Sequence, residues 1–475
     1  MRSSSAGFRP PAPSPQARPL GAWTLLKTLR SNPLECWTKA HFEEPIVLGG
    51  FPFARVAVVS DPTAIRQTLV ENQSAYRKSA IERRILSVRM RNGLVTVEGE
   101  QWQKLRRILA PMFGRKMVAR FAPAMASVAA ALVERWRSQP DGSVVEVKAE
   151  MSRVTLEGLV RCIFSDGLGD PEAVCAATTR YYATCGGLDP FDIIGLPDFV
   201  PRLTRLGMGP ALRDFEQALN AAIAERRRSL AADPSAPCDM LGAMLAAEDP
   251  ETGERMTEAE VKDNVVTLIF GGQETTSTTL TWTLYLLSQS AEWRERVAEE
   301  AQRVLDGSGA DAAEALVQTR AVVEEALRLY PPIIGITRTA MRRTELAGRT
   351  IERGTMLIIS PYVLHRHRRL WRDPDLFDPT RFLAGPERAV ERYTYLPFGV
   401  GPRMCVAAGF ALQEATLVVA TLMRHFVLDL IPGQAVWPVI DFTMRPRDGL
   451  RMAVRQRRQS APAATRESAA LAVES

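Results

Sequence analysis

The chain has 475 residues, 46% of them hydrophobic and 24% charged, with a formal net charge of +6. That composition belongs to a globular protein with enough apolar surface for a large core. The arginines are spread rather than blocked, which speaks against nucleic-acid binding and leaves room for a modest basic face toward an acidic protein partner. No run of about 18 apolar residues exists, so no transmembrane helix is predicted. Length alone would allow several domains of roughly 100–200 residues, but no linker interrupts the middle, and one large domain is expected. Cys36, Cys162, Cys175, Cys185, Cys238 and Cys405 show neither paired metal spacing nor disulfide-like density. They are read as reduced thiols in the cytoplasm.

Residues 1–19 are rich in Ser and Pro and are expected to be flexible. Arg2 is not followed by an apolar run, so the segment is not read as a signal peptide. Residues 20–26 predict a packed N-terminal helix, with contact to a membrane surface as the alternative. Short β-like runs follow at 46–48 and 56–59, split by Gly49-Gly50 and Pro52. From Pro62 to about Leu329 the pattern is mostly helical, with helices predicted at 102–109, 124–136, 144–164, 211–230 and 258–290. Strand-like pieces return at 345–360, a helix at 405–425 and mixed short strands after it, while 455–475 reads as a flexible tail. The expected fold is mainly α with a smaller β portion, in one domain spanning 20–454.

The predicted helix 258–290 disagrees with its own composition. Apolar flanks enclose Gly271-Gly272-Gln273-Glu274-Thr275-Thr276-Ser277-Thr278-Thr279. Each internal glycine costs a helix about 1 kcal/mol relative to alanine. Ser and Thr hydroxyls compete for backbone carbonyls and bend helices. A rule broken in mid-element marks either close packing or a functional site. In the first reading the glycines let a neighbour approach a kinked core helix. In the second they open a groove over a flat ligand, with Glu274 and Thr275 as an acid and an alcohol able to pass protons.

Trp102 and Arg106 stand at i and i+4, where both can grip a carboxylate. The plainer reading is a half-buried indole beside a solvated guanidinium. Glu325 and Arg328 share a helix face at i and i+3, and alone they make an ordinary surface ion pair. The Pro-bounded segment 374–382 can bring Arg381 to them, giving a carboxylate–double-arginine network that holds the Cys405 loop. Arg338 ends the apolar extended run 333–338, as strand-end arginines do.

The tightest chemical context is Phe398-Gly399-Val400-Gly401-Pro402-Arg403-Met404-Cys405, followed by the start of an amphipathic helix. A cysteine at a helix N-terminus feels the positive end of the macrodipole, which favours thiolate. Such a thiolate serves as a nucleophile or as a ligand to a soft metal centre. A cysteine hydrolase needs a base histidine, and His41, His365, His367 and His425 stand in no supporting motif. His365 and His367 form a lone H-x-H without nearby ligand partners, so no second metal site is expected.

Together these segments resemble the cytochrome P450 family. Residues 398–405 match its haem-ligand motif F-x-x-G-x-R-x-C, and 271–276 match its oxygen-activation segment. Glu325 and Arg328, with Arg381 as third member, match its E-x-x-R pair, and Trp102 and Arg106 match its W-x-x-x-R pair. The matches occur in the family's order. One position departs: Ala407 stands where the family most often has Gly, which implies tuning of the haem environment rather than loss of binding.

The resemblance implies haem b, with Cys405 as the iron ligand and Phe398 packed on the thiolate side. It implies that Trp102, Arg106, Arg338 and Arg403 pair with the two propionates, since buried carboxylates need partners. Thr275 would steady dioxygen and deliver protons, with Glu274 as relay. The implied activity is a monooxygenase that inserts one oxygen atom of O2 into a hydrophobic small molecule. A peroxide-driven oxygenase would lack the acid–alcohol pair, and a haem sensor would need neither Thr275 nor an electron donor.

The chain ends about 70 residues past Cys405, too short for a reductase domain. A separate ferredoxin or flavodoxin-type donor with its reductase is therefore expected. The G-x-G-x-x-A match at 307–312 follows a helical run and is read as a loop. Lys104, Arg107, Arg115, Lys116 and Arg120 can dock an acidic donor or be solvated surface charge. The pocket is expected to draw on a 77–97 loop, the 185–205 segment, Ile269, Phe270, Ile333 to Ile336 and the strand near Ile440. Residues 188–197 would be an entrance loop or a packed connector. A monomer is expected.

Overall fold

The computed structural model describes residues 7–51, 54–165, 171–184, 208–233, 239–306, 312–383 and 390–457. The 185–205 segment, residues 307–311 of the G-x-G-x-x-A match and residues beyond 457 lie outside them.

The helix predicted at 258–290 forms as Glu258–Gln289 and runs through the centre of the molecule. Its ends and flanks offset its unfavourable middle. The Thr257 hydroxyl accepts from the Glu260 N–H while the Glu260 carboxylate accepts from the Thr257 N–H, a reciprocal cap. Leu280, Trp282, Leu284 and Leu286 are fully buried, and the Trp282 ring stacks on Tyr330 with centroids 3.8 Å apart. Val147–Phe164 packs along this helix, and Ala408–His425 and Val317–Leu329 pack against its other sides. Ala122–Arg137 closes the bundle against Ala408–His425.

Both readings of the helix glycines find support, on different residues. A Cβ on Gly272 would sit 2.9 Å from Leu159 of the neighbouring helix, so this glycine permits close packing. A Cβ on Gly271 would come no nearer to a side chain than 4.0 Å, from Met90. That glycine leaves open space instead.

The β portion is small. A five-stranded sheet has the order β1-β2-β8-β5-β3, with β1 Ile46–Phe51, β2 Ala54–Val59, β3 Tyr76–Lys78, β5 Ile336–Ala340 and β8 Met356–Ile359. Only the β2–β8 pair is parallel. The hairpin β6 Thr344–Leu346 with β7 Arg349–Ile351 stands apart. β4 Ser143–Glu146, β12 Arg451–Gln456 and β9 Phe426–Leu430 form a second sheet. β10 Pro438–Ile440 pairs with β11 Met444–Pro446.

Three expectations change. Residues 144–146 are strand, not helix: Val144 and Val145 pair with β12, and Glu146 then caps the helix by accepting from the Lys148 and Ala149 N–H groups. Residues 7–19, expected to be flexible, lie on the body. Phe8 packs edge-on against Tyr285, the Tyr330 hydroxyl donates to the Pro11 carbonyl at 2.8 Å, and Gln16 bridges to Thr38. The start of the expected tail, 455–457, is also fixed: Arg457 donates its N–H to His425 and its guanidinium to Glu295.

The predicted N-terminal helix forms as Ala22–Ser31 but buries none of its residues. Among the described residues no helix is long and apolar enough to cross a membrane.

Candidate active site

The Cys405 loop is shaped by two left-handed glycines. Gly399 has φ +71° and Gly401 φ +78°. A Cβ on Gly401 would lie 2.3 Å from the Leu69 carbonyl oxygen, so only glycine fits. The turn closes as Cys405 donates its N–H to the Phe398 carbonyl and Met404 donates to Gly401, both at 2.9 Å. The helix after it begins at Ala408, so Cys405 stands ahead of the first turn rather than in it. Protein walls Cys405 in, and the surface it exposes faces a cavity of about 360 Å³. Burial pushes its thiol up, opposed by the Ala407 N–H and the Arg106 guanidinium.

Behind the loop, Glu325 and Arg328 are fully buried and paired at 2.6 Å and 2.8 Å. Arg328 also donates to the carbonyls of His365, Pro374 and Leu376 at 2.7–2.9 Å. Arg381 approaches Glu325 at 3.7 Å. The network reaches the residues leading into the loop. His365 Nε2 accepts from the Leu396 N–H at 2.8 Å, and the Tyr395 hydroxyl donates to the Glu324 carbonyl at 2.8 Å. The surface-pair reading is thereby set aside. His365 is a buried packing residue whose burial pushes its pKa down to about 3. Among the described residues no His, Cys, Asp and Glu cluster could hold a metal ion.

Trp102, Arg106, Arg338, Phe398, Arg403, Cys405 and Thr275 all line the cavity. The Arg403 guanidinium lies 4.3 Å above the Trp102 ring and donates to the Val97 carbonyl at 3.0 Å. Arg106 donates to the Met404 carbonyl at 2.9 Å, and Arg338 to the Thr337 carbonyl at 2.8 Å. Lys78 joins them, a residue sequence reasoning missed because it sits on a three-residue strand with no motif around it. It pairs in register with Arg338 across β3 and β5, and its ammonium donates to the Val95 carbonyl. Burial pushes Lys78 down to about 8; neighbouring Arg403 and Arg338 add to this, while Glu82 and Glu98 oppose it.

Glu274 does not line the cavity. Thr275 turns toward it, donating to the Gly271 carbonyl at 2.8 Å. Glu274 turns the other way. Its Oε2 lies 3.3 Å from the Lys148 ammonium, and its Oε1 accepts from the Thr443 hydroxyl at 2.9 Å. Lys148 also donates to Ser277 at 3.1 Å and Ser152 at 3.2 Å. No spacing in the sequence places Lys148 or Thr443 beside Glu274.

Several pocket expectations move. The 77–97 loop contains a helix, Ala80–Met90, and contributes Lys78, Glu82, Leu86, Met90, Leu94 and Val95. Ile269 and Phe270 point away into the core, where Phe270 meets Tyr181 and Phe215. Leu268 and Gly271 take their place. Ile333, Gly335 and Ile336 line the wall, and Phe442 does so instead of Ile440. The basic set also divides. Lys104 pairs with Glu254 and Glu260, Arg107 with Asp249 and Arg115 with Glu314. Internal acids therefore already engage three of its five members.

The fit to a porphyrin rests on charge and donors. Arg106, Arg338, Arg403 and Lys78 converge on one cavity whose lining, among the described residues, holds a single acid, Glu82. Buried cations in excess call for anions, and two propionates supply them. The cavity wall also offers a thiol with no histidine beside it to make it a nucleophile. A thiolate there is suited to iron ligation, and the fold and site together fit a haem-thiolate protein.

The cytochrome P450 family model matches residues 11–452, and the chain belongs to that family. It is 33% identical to cyclooctatin synthase of Streptomyces melanosporofaciens over 79% of this chain and 81% of that one. It is 31% identical to cyclooctat-9-en-7-ol 5-monooxygenase of the same organism, over 88% and 92%. It is 33% identical to pentalenene oxygenase of Streptomyces avermitilis, over 73% and 76%. Its cofactor is haem b, and it is a monooxygenase that uses O2, an electron donor and a hydrophobic substrate.

Proposed function

We propose that this monooxygenase hydroxylates a terpene-type hydrocarbon or its simple alcohol. The observation that carries this reading is the state of the polar groups around the cavity. Asn264 accepts from the Leu94 N–H at 2.9 Å and donates to the Glu260 carbonyl at 2.7 Å. Thr267 donates to the Met90 carbonyl at 3.0 Å, and Thr279 to the Thr275 carbonyl at 2.9 Å. With these hydrogen bonds already made, the wall between them is Leu86, Met90, Leu94, Leu268, Ile333 and Phe442. A site that offers few free hydrogen-bonding groups selects apolar ligands. The relatives named for cyclooctatin, cyclooctat-9-en-7-ol and pentalenene agree with that class.

Haem b, when bound, supplies the oxidising chemistry that places one atom of O2 into a C–H bond. The chain's residues have separate tasks. Cys405 is the iron ligand, and Phe398 packs on its side. Trp102, Arg106, Arg338 and Arg403 hold the propionates, with Lys78 as a further partner. Thr275 places its hydroxyl at the cavity wall, where release of its hydrogen bond to the Gly271 carbonyl frees the proton for delivery. Glu274, held by Lys148 and Thr443 on the opposite side of the helix, relays protons toward Thr275. The apolar wall excludes water from the reacting carbon.

The donor is a separate ferredoxin or flavodoxin-type protein with its reductase. Its docking face centres on Arg120, Lys116 and exposed Met404, since the other candidate cations are engaged. The protein works as a cytoplasmic monomer. The haem domain expected at 20–454 extends to 7–457, the described ends that pack on its body.

The test is a ligand screen read by the spin-state change of the bound haem, followed by donor-driven turnover. Terpene hydrocarbons should give the shift, and products should carry one added oxygen atom. Thr275→Ala should bind the same hits and release peroxide in place of product. A shift given only by charged or sugar-like ligands would contradict the substrate class. Equal product yield from wild type and Thr275→Ala would contradict the proton role.

A further inference from the structure

The helix Ala22–Ser31 has one face turned to the protein and one turned away. Leu25, Thr28 and Leu29 are half-buried, while Trp23 is 83% exposed and Leu26 42% exposed. At 100° per residue, Trp23, Leu26, Lys27 and Arg30 form one outward stripe. A large indole left in water at that level needs an explanation, because the seven other tryptophans are all partly or fully buried and this one is exposed.

Charge supplies the second observation. The first 34 residues contain Arg2, Arg9, Arg18, Lys27 and Arg30 and no Asp or Glu at all. Arg9, Arg18, Lys27 and Arg30 are exposed, and among the described residues none has an ion-pair partner. Elsewhere many surface cations carry an acid partner, as Arg115, Arg153 and Arg255 do, although others such as Lys116 and Arg120 have none among the described residues. The outward stripe of the helix therefore sets the unpaired cations Lys27 and Arg30 beside an aromatic and an aliphatic side chain.

We infer that this face docks the protein on an anionic lipid bilayer. The helix lies in the plane of the surface, with Trp23 and Leu26 entering the headgroup boundary and Lys27, Arg30 and Arg18 meeting lipid phosphates. An indole with a polar edge suits that boundary, and lysine and arginine stems reach outward along it. A soluble acidic protein is a poorer occupant. One indole and one leucine offer far less than the roughly 1,200 Å² that a stable protein interface buries. A bilayer needs only shallow insertion reinforced by charge. The same surface concentrates the hydrophobic molecules that the cavity accepts.

The full chain with its haem is mixed with vesicles of phosphatidylglycerol and phosphatidylcholine, or of phosphatidylcholine alone, and the bound fraction is read by flotation. Binding should be at least about tenfold stronger to the anionic vesicles and should weaken in high salt. Trp23→Ser with Leu26→Ser, and separately Lys27→Glu with Arg30→Glu, should each reduce it about tenfold with the haem absorption unchanged. No binding by wild type would overturn the proposal. So would loss in the charge variant alone, which would mark an electrostatic protein-docking face. A concentration-dependent dimer abolished by Trp23→Ser would assign the face to a second copy instead. None of these results depends on substrate identity.

Discussion

Lys78 lies directly opposite Arg338 across the β3–β5 pair, and both line the same cavity. Like charges directly opposite on paired strands are destabilising. The arrangement makes sense when a carboxylate sits between them. Lys78→Met should therefore weaken haem retention about tenfold, since a hydrogen bond to a charged group contributes about 1.5–3 kcal/mol. Haem loss to an acceptor protein measures this.

In the haem-free protein the sign reverses. The folded pKa of Lys78, about 8, lies below its ordinary value of 10.5. Its ammonium therefore costs stability below pH 8, and the cost disappears as pH rises from 8 toward 10.5. Haem-free Lys78→Met should unfold at higher urea than haem-free wild type at pH 7, and the gap should close by pH 10.5.

Glu274 and Lys148 face each other on the side of the long helix away from the cavity. Lys148→Met leaves Thr443 donating to the carboxylate but removes the cation that orients it. Haem content should stay unchanged. Product formed per O2 consumed should fall about fivefold, a modest part of the roughly hundredfold or more that acid–base groups contribute. Peroxide release should rise to match, and Lys148→Arg should restore much of the coupling.

Gly399 and Gly401 share the left-handed conformation but differ in their surroundings. Gly399→Ala meets only Ile336 at 3.6 Å and should cost about 1–2 kcal/mol, the conformational penalty. Gly401→Ala adds the collision with the Leu69 carbonyl and should cost about 3 kcal/mol or more, with loss of bound haem. Urea midpoints and haem-to-protein absorbance ratios separate the two.

Glu414, on the helix after Cys405, is fully buried, and burial pushes its carboxyl up to about 8. Its Oε2 has no hydrogen-bond partner. The folded state holds the proton that the unfolded state releases above pH 4.5, so stability from this group falls as pH rises from 4.5 to 8. Glu414→Gln should flatten that slope, seen as urea midpoints that change less between pH 5 and pH 8 than those of wild type.

What was legible in the sequence was whatever depends on neighbours along the chain. The Cys405 turn, the long helix and the Glu325–Arg328 pair are each set by residues within one or two turns. Charge meetings across the fold were not legible. Lys78 finds Arg338 over 260 positions of intervening chain, and Glu274 finds Lys148 and Thr443 on two other elements. Helix phase decides the rest. Ile269 and Phe270 are apolar and adjacent to Gly271, yet the helix turn sends them into the core and Leu268 to the cavity. The N-terminal helix needed the structure too, because periodicity shows that a helix has two faces without showing whether the body covers either.

The central claim is that the Cys405 sulfur is the iron ligand. The reduced, carbon-monoxide-bound absorption spectrum tests it most directly. Wild type should show a strongly red-shifted Soret band, and Cys405→Ala should lack it. A protein purified without porphyrin, or a Cys405→Ala variant that keeps the red-shifted band, would contradict the account.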